Sequence, residues 1–206
     1  MKIGGSVEVI DGTNAHVYVF KTGDEYVQVD AAMKGDARFV LSYYETNGIR
    51  PSRVLITHSH VDHIGGLRVV YDLYRPAIYA DPKEIPVIKG EMPPYSKSIL
   101  MRALNPFFKI RPVPAVNSTS DLSLSSVQVL QTPGHTPGST TYILNEGGRK
   151  YAFVGDAAFE KNGRLFVNKT FSIDVLTAEK SLEKIRGLAP ITILPGHGAP
   201  LEIKRC

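Results

Sequence analysis

Apolar positions along the chain fall into short alternating or continuous runs, separated by glycine- and aspartate-containing turns. Val7–Ile10, His16–Phe20 and Tyr26–Val29 are rich in β-branched and aromatic residues, a spacing that predicts an antiparallel meander. Ala37–Thr46 has a helical pattern that stops at Asn47-Gly48. Arg53–Thr57 is a short, continuous apolar run, as expected of a buried strand. It runs straight into His58-Ser59-His60-Val61-Asp62-His63, after which Ile64–Tyr74 resumes helical spacing. This polar cluster is therefore expected on an extended loop between strand and helix, where a rigid scaffold commonly carries functional groups.

Ala77–Ala80 reads as a further strand. The proline-rich stretch Asp81–Pro114 reads as one or two short helices with loops, and as the wall of a substrate cleft. Val127–Gln131, Ser139–Leu144 and Lys150–Val154 are strands, the last two joined by a hairpin turn over Asn145–Gly148. Thr177–Leu188 places Leu182, Ile185 and Leu188 on one helical face, and a final strand, Ile191–Leu194, precedes Pro195-Gly196-His197-Gly198. Both halves of the chain run strands, then helix, then strand, so two similar α/β halves packed face to face are expected.

Composition adds bounds. The chain has 206 residues, 43% hydrophobic and 21% charged, which suits one globular domain over residues 1–206 rather than disorder. No apolar stretch is long enough to span a bilayer, and the start of the chain lacks the apolar core of a secretory signal. The one cysteine, Cys206, has no partner for a disulfide, so a cytoplasmic location is expected. The net charge of +4 suits an anionic small molecule. Its basic residues are scattered, with only Arg149–Lys150 and Lys204–Arg205 adjacent, which argues against nucleic acid as a partner.

Five of the six histidines lie in three short segments framed by glycine or proline. In an extended loop alternate side chains point the same way, so His58 and His60 can grip one ion while Asp62 and His63, past the bend, turn to a second. So many ionisable groups close together are hard to satisfy in a fold without a metal. Thr132–Ser139, which contains His135, the pair Gly155-Asp156, and the segment around His197 each follow a predicted strand and supply further donors. His16 has no ligand neighbour in sequence and reads as structural. A metal-stabilised binding module is the non-enzymatic alternative. A structural zinc site is normally closed by four ligands, whereas seven donors for two ions leave positions open for chemistry.

The ordered set HxHxDH, GHTPGS, GD and PGHG resembles the metallo-β-lactamase superfamily from about Val7 to Pro200. The resemblance implies an αββα four-layer sandwich, with two mixed sheets face to face, helices outside and a two-metal site at the sheet edge. Carried over by motif, His58, His60 and His135 hold one ion, Asp62, His63 and His197 the other, and Asp156 bridges both. The ions are expected to be zinc, although iron or manganese also suits histidine and aspartate. Asp62 is the candidate for carrying a proton to the leaving group.

Within the superfamily, Gly155–Arg164 resembles the pattern of the glyoxalase II (hydroxyacylglutathione hydrolase) group, implying hydrolysis of a thioester or related ester. Only nine residues follow His197, so the helical C-terminal domain that helps hold glutathione in the long enzymes of that group is not expected. Acyl-homoserine lactonases carry a tyrosine shortly after the bridging aspartate, where this chain has Ala157, Ala158 and Phe159. Superfamily nucleases and phosphodiesterases share the metal motif, but the nucleases usually add an RNA-binding arm or a large insertion. Persulfide dioxygenases use a single iron on two histidines and one aspartate, matching His58, His135 and Asp156.

Overall fold

The computed structural model describes residues 1–97 and 110–204, so part of the proline-rich stretch, together with Arg205 and Cys206, lies outside the described residues. Fourteen strands are described: β1 Lys2–Gly4, β2 Val7–Ile10, β3 Val17–Thr22, β4 Glu25–Val29, β5 Pro51–Leu55, β6 Ala77–Ala80, β7 Asn117–Ser118, β8 Val127–Gln131, β9 Thr140–Glu146, β10 Arg149–Gly155, β11 Phe159–Lys161, β12 Arg164–Phe166, β13 Ile191–Pro195 and β14 Leu201–Ile203. The described helices are α1 Ala37–Asn47, α2 Val61–Ile64, α3 Leu67–Tyr74, α4 Ile85–Ile88 and α5 Val175–Arg186.

Two mixed sheets face each other. The first runs β1 to β7 in sequence order, antiparallel as far as β4 and parallel from there. The second has the order β14-β13-β10-β9-β8, with β10 and β13 its parallel pair. Alternation along the strands divides the apolar side chains into three layers. Tyr18, Phe20, Leu55, Tyr142 and Phe153 point between the sheets, where Phe20 and Phe153 stack with ring centroids 5.4 Å apart. Their strand neighbours Val17, Val19, Val54 and Ile56 point outward onto α1 and α3 through Val40, Tyr44, Leu67 and Val70. Ile143, Ala152, Val154, Ile191 and Ile193 do the same on the other side against Ala178, Leu182 and Ile185 of α5. This is the αββα sandwich. Each fully buried aliphatic or aromatic side chain contributes roughly 1.5–3 kcal/mol of transfer free energy to it.

The meander, α1 and the strands Ala77–Ala80 and Val127–Gln131 lie where the apolar pattern predicts them. Gly48 ends α1 in a left-handed conformation, its N–H bonded to the carbonyl of Tyr44. Three expectations need correcting. Asp62 and His63 sit on the short helix α2, not past a bend in an extended loop. The helix expected over Ile64–Tyr74 is broken at Gly65-Gly66, where Gly66 N–H donates to the carbonyl of Ala32 at 3.0 Å instead of back along the helix, and the close carbonyl of Ala31 leaves no room for a Cβ. His16 precedes β3 rather than lying within it. The strands β1, β7, β11, β12 and β14 are short, and the hydrophobic pattern did not announce them. Among the described residues, no helix is long and apolar enough to cross a membrane.

Candidate metal centre

All the candidate donors gather at one edge of the sandwich, at or just beyond the C-terminal ends of strands from both sheets. His58 and His60 follow β5, His135 follows β8, Asp156 follows β10 and His197 follows β13, while Asp62 and His63 ride on α2. Two groups form, His58, His60, His135 and Asp156 in one and Asp62, His63 and His197 in the other, with the donor atoms of each within 4.8 Å of one another. All seven residues predicted from sequence are thus brought together. Asp156 faces both groups, with Oδ2 lying 3.4 Å from His135 Nε2 and Oδ1 lying 3.2 Å from His63 Nε2. Asp62 Oδ2 lies 3.2 Å from His197 Nε2 and 3.9 Å from His63 Nε2.

Backbone contacts hold the edge closed. Thr140 N–H donates to the carbonyl of Thr57 at 2.9 Å, His16 N–H to that of Gly196 at 2.9 Å, and Gly196 N–H to that of Gly155 at 2.8 Å. The Tyr18 hydroxyl and the His16 ring both reach the carbonyl of Pro195, at 2.7 and 3.2 Å. His16 stays outside both donor groups, as the sequence implies, yet it braces the loop that carries His197. Gly155 takes a left-handed conformation (φ 50°) and lies against Thr57, so a side chain there would be strained and would collide with it. Behind His135, the N–H groups of Ile173 and Asp174 donate to the carbonyls of His135 and Gly134 at 3.0 and 2.9 Å, just before Asp174 caps α5.

Hydrogen bonds set which nitrogen of each histidine is bare. Asp30 accepts from Thr57 N–H at 2.8 Å and from the Thr57 hydroxyl at 2.7 Å. A carboxylate only accepts, so His63 Nδ1–H must donate in its 2.8 Å contact with Asp30 Oδ2, which directs Nε2 at Asp156. The Thr57 hydroxyl has spent its proton on Asp30, so His58 Nδ1–H donates to it at 3.2 Å and leaves His58 Nε2 bare. His60 Nε2–H donates to the carbonyl of Tyr95 at 3.1 Å, leaving Nδ1 to face His135 Nε2 at 2.9 Å. Such partners on the far nitrogen are what orient metal-binding imidazoles.

Charge follows the same geometry. Burial, reinforced by the neighbouring His63 and His135, holds His58 well below the ordinary imidazole range, and burial brings His135 down to about 3. Burial also lowers His60. For His63 burial works against the charge, but the carboxylates of Asp156 and Asp30 outweigh it and raise the group well above its usual range. Asp62 and Asp156 are lowered despite burial, Asp62 by the hydrogen bond to His197 and the charge of His63, Asp156 by His63 and His135. Neutral imidazoles and ionised carboxylates are the protonation states that bind cations, so His58, His60, His135 and the two carboxylates are ready for one, whereas His63 must first give up a proton.

The donor set fits a metal on a further count. His58 Nε2, His63 Nε2 and Asp156 Oδ1 are buried without a hydrogen-bond partner. Buried polar atoms left in that state are costly unless something not yet in place satisfies them.

Sequence reasoning missed two residues behind the cluster. Asp30, at the end of β4, sets the tautomers just described, and its only signal was an acidic residue closing a buried strand. Glu84 is fully buried and accepts from Ser59 N–H at 3.0 Å, Thr136 Oγ1–H at 2.8 Å and Gly138 N–H at 2.8 Å, and also from the Ser59 hydroxyl. It ties the His58–His60 loop to the His135 loop, and no local pattern marks it. The expected cleft wall is partly present: Pro94, Tyr95, Ser96 and Lys97 line a cavity of about 550 Å³ that opens on His60, Asp62 and His197.

The fold and this cluster together define a metallo-hydrolase class. The chain belongs to the metallo-beta-lactamase superfamily, whose family model matches residues 10–197. It is 28% identical over 220 residues to a Bacillus subtilis protein named probable metallo-hydrolase YflN, an alignment covering 92% of this chain and 83% of that one. It is 31% identical over 144 residues to the hydroxyacylglutathione hydrolase of Shewanella baltica, covering 68% of this chain but 47% of that enzyme. Among solved structures, the BLEG-1 B3 metallo-beta-lactamase superimposes with a TM-score of 0.73 at 24% identity, covering 95% of this chain and 93% of its own. TTHA1623 in a di-iron-bound form gives a TM-score of 0.72 at 24% identity, with the same coverage. These two likenesses are of fold.

Proposed function

We propose that the chain is a metal-dependent hydrolase of thioesters or related esters, carrying two divalent ions, most simply zinc, on His58, His60, His135, Asp62, His63, His197 and the shared Asp156. The observation that carries this reading is the orphaned trio of His58 Nε2, His63 Nε2 and Asp156 Oδ1, set among donors of which His60, Asp62 and His197 line a largely apolar cavity. Ions held there would lower the pKa of a shared water and polarise the substrate carbonyl.

The chain's own residues do the rest. Asp156, with one oxygen toward each donor group, sets the spacing between them. Asp62 sits at the start of α2, its side chain 30% exposed on the cavity wall and ionised, which suits it to take a proton from the attacking water and hand it to the departing sulfur or oxygen. Water adds to the acyl carbon, the bond from that carbon to sulfur or oxygen breaks, and the thiol or alcohol leaves with the proton. Phe159, opening the β11–β12 hairpin, stacks on the His197 ring with centroids 5.5 Å apart and planes 4° apart, and so shields one face of that donor.

The relative named hydroxyacylglutathione hydrolase supports the thioester over other esters. The test is turnover of an activated thioester by metal-loaded protein, abolished by chelator and restored by zinc. One iron per chain with oxygen-dependent activity would move the protein to the dioxygenase alternative, and cleavage of a phosphodiester alone would move it to the nucleases.

A further inference from the structure

We infer that the substrate carries a bulky apolar group, aromatic or branched, beside its scissile carbonyl, together with an acidic group. This inference rests on the hydrolase reading and names the class of molecule that fits the same site. The cavity over the donors has about 550 Å³, within the range that encloses a drug-sized ligand, and far more than an acyl group of two or three carbons would fill. Much of its lining is apolar: Met33, Val61, Pro94, Tyr95, Phe159 and Phe171.

Two of these rings are held in place. The Tyr95 hydroxyl donates to the carbonyl of Lys83 at 2.7 Å while its own carbonyl accepts from His60, so this wall and a metal donor form one unit. Phe159 packs between His197 and Phe166. Phe171 is the exception. It is 56% exposed and lines the cavity, so an apolar ligand there would cover it.

The polar part of the lining is asymmetric. Among the described lining residues Asp62 is the one carboxylate, and it belongs to the donor cluster. Away from that cluster the charged group among the described lining residues is Lys97, with Asn14, Asn168 and Thr170 as neutral neighbours. Lys97, the one cation among the described lining residues, next to so much apolar lining, selects a molecule that joins an anion to an apolar body.

The test uses three thioesters of one thiol, with acetyl, phenylacetyl and 4-carboxyphenylacetyl groups, and three inert analogues in which N–H replaces the sulfur. For the zinc-loaded protein, kcat/KM should rise by at least about tenfold at each step. Binding of the inert amides, measured by calorimetry, should rise in the same order. Phe171→Ala should shrink the step from acetyl to phenylacetyl. Lys97→Glu should erase or reverse the step from phenylacetyl to 4-carboxyphenylacetyl and leave the first step intact. Acetyl compounds bound or hydrolysed as well as the larger ones would overturn the inference. If no thioester is hydrolysed but the amides bind in the expected order, the hydrolase reading fails and the inferred recognition stands.

Discussion

His63 Nδ1 lies 2.8 Å from Asp30 Oδ2, and through this contact a residue outside both donor groups decides which nitrogen of His63 faces them. Asp30→Asn would replace an acceptor of three donors by an amide that satisfies them incompletely. Affinity for the ion at Asp62, His63 and His197 should fall about 10–100-fold. Competition against a fluorescent zinc chelator measures this, and an unchanged affinity would show that Asp30 has no hold on the site.

Glu84 makes a separate prediction. In Glu84→Gln one side-chain oxygen becomes an NH2 that must face either Ser59 N–H or Gly138 N–H, two donors that then oppose a donor. The loss should be about 2–4 kcal/mol of stability in urea unfolding, the cost of buried groups left unpaired. Because Glu84 joins the loops of His58, His60 and His135, cobalt bound to that group should change its visible spectrum, while the group containing His197 keeps its own. Destabilisation with both cobalt signals unaltered would reduce Glu84 to a packing role.

Metal uptake should release protons, and the geometry says from where. His58, His60 and His135 are lowered by burial and stand neutral at pH 7, whereas Asp156 and Asp30 overcome burial at His63 and keep it protonated. A raised folded-state pKa stabilises the metal-free protein below the ordinary imidazole value near 6.5, and that contribution is lost as pH climbs through the raised one. Zinc binding at pH 7 should therefore release about one proton from His63. Calorimetry in buffers of different ionisation enthalpy reads the number, and a value of zero would contradict the charge assigned to His63.

Asp62 carries the mechanistic prediction. Asp62→Asn should lower kcat by roughly 10²-fold or more on poor leaving groups, and the deficit should shrink when the leaving thiolate or phenolate needs no proton. Asp156→Asn should instead weaken both ions and slow every substrate alike. Rates across leaving groups of graded pKa, with metal occupancy checked, separate the two. A fully metallated Asp62→Asn that matches the parent on poor leaving groups would remove Asp62 from proton transfer.

The donors were legible in the sequence because their chemistry is crowded. Four potential ligands within His58–His63 have few other uses, and apolar runs before His58, Asp156 and His197 already place them at strand ends. Asp30 and Glu84 were not legible, because a single acidic residue carries no period and acts only through partners distant in the chain. Glu84 reaches Gly138 across more than fifty positions. The break at Gly65-Gly66 was hidden for a similar reason: Gly66 N–H turns to the carbonyl of Ala32, a tertiary contact that helical spacing does not encode.

The docking of Gly196 between His16 and Gly155 has a consequence for biogenesis. His197 joins its partners only after β13 has paired with β10 and its loop has met the start of β3, contacts that span nearly the whole chain. Such distant contacts form late, after the costliest loop closures. A nascent chain that has not yet delivered β13 offers Asp62 and His63 without His197. The donor group of Asp62, His63 and His197 is thus complete only in a chain whose early and late strands have met.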